Sequence, residues 1–139
     1  MYRFFLITQL IVFFPLYSFC HDYKIGELII DHPKIIKNSN YAKGYMNITN
    51  IGKDEVYLIG GKPFFSKELY LHKQNLNEHS EMIVIDKIKI PGGSKISFND
   101  LNFHLMFLDY DKNLEWFEPH KAKIYFSNNT EIEVEFDLD

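Results

Sequence analysis

The sharpest local feature of the chain is the run Phe103-His104-Leu105-Met106-Phe107. On a β-strand successive side chains point to opposite faces. Phe103, Leu105 and Phe107 then share a core face, and His104 and Met106 stand side by side on the other, where they are expected to be exposed. Two residues upstream extend the pattern. His72 ends a strand-like run just before a polar loop, and Met82 begins the run after it, so a hairpin closing that loop brings both to one end of the domain. Two imidazoles and two thioethers form a soft, neutral donor set. Thioethers favour Cu(I), whereas carboxylate and water sets suit Mg, Ca or Mn, and a blue-copper electron-transfer site needs a Cys thiolate. The expected site, His72, Met82, His104 and Met106, therefore suits holding and handing over Cu(I) better than redox cycling.

The remaining histidines carry less. His79 lies in the loop between two candidate ligands and reads as solvated. His32 precedes Pro33 in a turn and reads as structural. His120 falls in an irregular stretch near Trp116 with no partner evident, and Met46 reads as core. His21, if it becomes the amino terminus, combines an α-amine with an imidazole and offers a Cu(II) chelate. Catalytic signatures are missing: no nucleophile elbow, P-loop, His-Glu-x-x-His helix or glycine-rich phosphate loop appears. Asp109, Asp111 and Glu115 lack the glycine and terminal Glu spacing of a calcium loop. The expectation is a protein that is not an enzyme.

The elements that must position these residues follow from punctuation and alternation. Met1-Tyr2-Arg3 is a short cationic start, the run from Phe4 to Phe19 is almost wholly apolar, and Ser18-Phe19-Cys20 sets small residues at the −3 and −1 positions. This is the order of a secretory signal peptide, 1–20, too short for a comfortable membrane span. Residues 21–139 then form one domain. They contain no cysteine, and with 14 Lys against 19 Asp and Glu they carry a net charge of −5. Disulfides, thiolate nucleophiles and zinc-thiolate clusters are excluded from that part, and nucleic acid is an unsuited partner.

Strand-like runs alternate with turn residues, and no 3.6-residue period emerges. The expected strands are Glu27–Asp31, stopped near Pro33; Gly44–Asn50; Glu55–Ile59, closed by Gly60-Gly61; Glu68–His72; Met82–Ile85; Lys87–Ile90; Lys95–Phe98; Phe103–Leu108; Ala122–Phe126; and Ile132–Phe136. Asp109 to Lys121 is the longest irregular stretch and is expected to cross between sheets. An antiparallel Greek-key β-sandwich, cupredoxin-like or immunoglobulin-like, is the economical all-β fold.

At this point the chain resembles the PCuAC family of periplasmic copper chaperones, which supply the CuA centre of cytochrome c oxidase. The family pattern is His-x10-Met-x21-His-x-Met. Here nine residues separate His72 from Met82, 21 separate Met82 from His104, and Leu105 separates His104 from Met106. The flanks Ile30-Asp31-His32-Pro33, Gly44-Tyr45-Met46-Asn47-Ile48-Thr49-Asn50, Glu68-Leu69-Tyr70-Leu71-His72 and Ile90-Pro91-Gly92-Gly93 also agree. The sequence departs from the pattern by one residue before Met82, and again where the Pro-Gly-Gly-Tyr often found ahead of the last histidine is Asn99-Asp100-Leu101-Asn102-Phe103. The resemblance implies one Cu(I) per domain, a periplasmic location, and delivery to the CuA-bearing subunit of cytochrome c oxidase, with another copper chaperone as a further partner. It implies membrane contact only through that partner or an uncleaved signal. Two other readings stay open: a metal-free exported immunoglobulin-like module that binds protein, and a copper storage or resistance protein using the same site.

Overall fold

The computed structural model describes residues 22–75, 82–115 and 117–139. The proposed signal segment, His21, His79 and Trp116 lie outside them. The described residues form eleven strands and no helix: β1 (Tyr23–Ile25), β2 (Leu28–Lys37), β3 (Tyr41–Asn50), β4 (Val56–Pro63), β5 (Glu68–Gln74), β6 (Met82–Ile85), β7 (Ile88–Ile90), β8 (Lys95–Ser97), β9 (Phe103–Leu108), β10 (His120–Phe126) and β11 (Glu131–Leu138). Neighbours run in the order β6-β5-β9-β3-β2-β11-β10-β4-β7, with β1 added to β2 and β8 to β3. The all-β sandwich expected from the sequence is present, and its two halves join through β11.

One join departs from a purely antiparallel arrangement. β11 pairs antiparallel with β10 along most of its length, but its end runs parallel to β2, with Asp137 opposite Lys34 and Leu138 opposite Ile35. The strand thereby crosses from one sheet to the other, and the two sheets close toward a barrel. Pro33 does not stop the first long strand. β2 carries on to Lys37 through an irregularity between Asp31 and Lys34, where His32 adopts a φ of 51°. A bulge frees Pro33 from the ladder bond it cannot make. Gly60 and Gly61 likewise lie within β4 instead of closing it, and the pairing of β4 with β10 shifts register beside them.

The core lies between the sheets. Leu28, Ile30, Ile35 and Ile48 from β2 and β3 face Ile124, Phe126, Val134 and Phe136 from β10 and β11, with Leu105 and Phe107 of β9 beside them. Even-numbered residues of β3 point inward, Ala42, Met46 and Ile48 among them. At Gly44 the strands come so close that an added Cβ would lie 2.6 Å from the Phe107 ring and 3.1 Å from the Leu105 Cβ. This close approach fixes β9 against β3, so the opposite face of β9 is held rigidly against the opposite face of β3.

Candidate metal centre

The site is built by cross-strand register. β9 is an interior strand, flanked by β5 and β3. Opposite β5, His104 pairs with His72 and Met106 with Tyr70. At the edge, β6 pairs with β5 so that Val84 faces His72 and Met82 faces Gln74. Directly opposed residues of antiparallel strands project to the same side, and diagonal neighbours are about 7–8 Å apart. His72 and His104 are thus direct partners, and Met106 and Met82 each sit diagonally from His72. The structure brings all four sequence-expected residues to one sheet face, on three adjacent strands, opposite the face that carries Leu105, Phe107 and Leu71 into the core.

The two imidazoles touch edge to face, with ring centroids 5.3 Å apart. Burial differs from the expectation of an exposed pair. His104 is fully buried and Met106 only 7 % exposed, whereas His72 and Met82 are half-buried. The reason is that β9 has strands on both sides and a lid above. Lys43 and Tyr45 of β3 project over the same face, Lys43 directly opposite Met106. The chain between β8 and β9 folds back here: Phe98 donates its backbone N–H to Met46, and Asp100 accepts the Tyr45 hydroxyl at 2.6 Å. The Tyr45 ring lies 6.3 Å from His104. The more exposed donors, His72 and Met82, lie on the β5–β6 side.

Electrostatics keep both rings neutral. Burial, reinforced by the neighbouring His72 and by Lys43, pushes His104 down to about 4. Burial and Lys43 also hold His72 below the usual histidine range. Among the described residues, Nδ1 of His72 and both ring nitrogens of His104 are buried without a hydrogen-bond partner. Leaving a buried polar atom unpaired costs about 1–3 kcal/mol, so two such rings in contact are an expensive arrangement for packing alone. A cation that accepts nitrogen lone pairs removes part of that cost. Among the described residues no three His, Cys, Asp or Glu side chains converge. The donors gathered here are imidazole and thioether, a set for a soft ion.

The other candidates separate from the site. His32 bonds its neighbour Asp31 at 2.6 Å on the surface. His120 is buried elsewhere, with its Nε2 2.5 Å from the Tyr110 hydroxyl and its ring stacked on Tyr110. Met46 is core, as expected. Sequence reasoning missed Lys43, Tyr45 and Asp100 as the surroundings of His104. Lys43 lies before the expected strand Gly44–Asn50, whereas β3 begins at Tyr41, and nothing in the sequence said that β3 would lie beside β9.

The class that fold and site define is a small all-β domain presenting a soft His/Met donor set on one sheet face. No family model matches the chain, and no curated protein matches its sequence. Its fold is shared with PCuAC domains of known structure. The copper-bound PCuAC domain from PmoF2 is 20% identical at a TM-score of 0.72, over 86% of this chain and 97% of that one. The apo PCuAC domain from PmoF1 is 21% identical at 0.73, over 86% and 98%. The apo PmoF2 domain is 20% identical at 0.70, over 86% and 94%.

Proposed function

We propose that this protein is an exported Cu(I)-binding chaperone that holds one ion between His72, Met82, His104 and Met106. The observation that carries the reading is the opposed His72–His104 pair, with buried nitrogens lacking partners, set between two methionines on one face. Support also comes from the shared fold with a copper-bound domain and from the spacing Met82-x21-His104-x-Met106. Cu(I), when bound, supplies a soft acceptor for imidazole and thioether donors. The chain's part is to keep both imidazoles neutral at physiological pH, so that no proton competes for the lone pair, and to fix His104 and Met106 on an interior strand. His72 and Met82, half-buried and nearer the sheet edge, are the ligands a recipient reaches first. Exchange then proceeds from the edge inward, one donor at a time. This neutral donor set supplies neither nucleophile nor carboxylate base, which favours carriage over catalysis.

The N-terminal pattern supports export, and with the resemblance it supports the periplasm as the place of action. The recipient we propose is the CuA-bearing subunit of cytochrome c oxidase. The test is to load residues 21–139 with one equivalent of Cu(I) and mix them with the copper-free soluble domain of that subunit. Appearance of the CuA absorption under a suitable redox poise, with matching loss of copper from the donor, supports delivery. Retention of the ion against a competent recipient refutes it and favours storage at the same site.

A further inference from the structure

The ligand face carries one group whose charge bears on which ion it holds. Lys43 stands opposite Met106 on β3, so its side chain shares the face with His104 and Met106. That side chain is only 20% exposed, and its ammonium pairs with Asp100 at 3.1 Å. Asp100 is in turn held by the Tyr45 hydroxyl at 2.6 Å. The ammonium is thereby tethered on the ligand face beside Met106 instead of trailing into solvent. Asp100, with 64% of its side chain exposed, is the outer member of the pair. The pair acts as a dipole with its positive end toward the donors. The other charged residue on this face of β5, Glu68, lies opposite Leu108 at the far end of β9 and accepts the Tyr70 hydroxyl.

We propose that Lys43 sets the charge selectivity of the site, so that a divalent ion is disfavoured relative to a monovalent one independently of donor softness. The inference rests on the copper reading above and identifies a residue outside the ligand set. Four neutral donors contribute no net charge of their own, so the fixed pair adds a field that a bound ion meets. The interaction of a fixed charge with an ion scales with the ion's charge, and Cu(II) is penalised about twice as strongly as Cu(I) on a logarithmic scale. A unit charge about 7 Å away at an effective dielectric of about 20 changes a monovalent affinity by about fiftyfold. Asp100 cancels part of this, leaving about tenfold for Cu(I) and about a hundredfold for Cu(II).

The test measures Cu(I) and Cu(II) affinities of the purified protein by chelator competition, for the parent, Lys43→Leu, Lys43→Arg and Asp100→Asn. Lys43→Leu, which removes the charge without adding a donor, is expected to tighten Cu(II) about tenfold more than Cu(I), which lowers the potential of the bound one-electron couple by about 59 mV. Lys43→Arg is expected to keep the parent ratio within about twofold, and Asp100→Asn to move it the other way. If Lys43→Leu fails to fold, the last two variants decide. A ratio unchanged in every variant, or Cu(II) undetectable in all of them, overturns the proposal while a parent that still binds Cu(I) leaves the copper site standing. A parent that binds no Cu(I) removes both.

Discussion

Replacing His104 by leucine is expected to stabilise the copper-free domain while destroying its copper site. The residue is fully buried, and neither ring nitrogen has a partner among the described residues. Leucine is of similar size and has nothing to desolvate. Removing an unpaired buried polar group recovers about 1–3 kcal/mol, less about 0.5–1 kcal/mol for the lost edge-to-face contact with His72. The net gain at pH 7 is then about 0–2.5 kcal/mol, centred on about 1 kcal/mol. Acid widens it. His104 is held at about 4 in the folded state, against an ordinary histidine value of 6.5, so the unfolded chain binds more protons between those values. Its contribution is complete above pH 6.5 and is lost as pH falls toward 4. By pH 5 the parent should lose about a further 2 kcal/mol from this residue, at 1.36 kcal/mol per unit, and His104→Leu should not. Urea denaturation of both copper-free proteins at pH 7 and pH 5 reads these differences directly. A variant less stable than the parent by more than about 1 kcal/mol at both pH values would refute the reasoning, since it would mean the imidazole is satisfied without metal.

Three further outcomes are expected. Gly44→Ala should cost about 1–3 kcal/mol by overpacking against Phe107 and Leu105, read as a lowered urea midpoint with an unchanged m-value. Tyr110→Phe removes the hydroxyl that partners His120 and should cost about 1–3 kcal/mol in the same assay, while Cu(I) affinity stays at the parent value because this pair lies outside the site. Met82→Leu should leave the urea midpoint within about 1.5 kcal/mol of the parent, as a volume-conserving swap, yet weaken Cu(I) and speed its loss to a chelator in stopped flow. Cu(I) affinity unchanged by Met82→Leu would remove Met82 from the ligand set.

Much of the site was legible because a strand's alternation is local. The residues Phe103 to Phe107 alone separate His104 and Met106 from the core face, and the structure keeps that separation. The hairpin between His72 and Met82 was legible for the same reason, since a short polar loop between two strand-like runs leaves little choice of partner. The register that sets His72 opposite His104 was not legible. It joins strands about thirty residues apart and is decided by core packing of β5 against β9, such as Leu71 opposite Leu105. Burial of His104 was misjudged for a related reason: whether a non-core face is covered depends on which strands flank it and where the connection before β9 folds. The parallel end of β11 and the continuation of β2 past Pro33 escaped because each depends on a distant partner supplying or sparing ladder bonds.

The central claim is most directly tested by anaerobic competition of residues 21–139 against a chromophoric Cu(I) chelator, with His104→Ala and Met106→Leu measured alongside. The account predicts one equivalent bound by the parent in competition with the chelator, and markedly weaker binding by both variants with their β-sheet circular dichroism retained. A parent that leaves all the copper with the chelator, or variants that compete as well as the parent, would contradict it and favour a protein-binding module in which these four residues only pack.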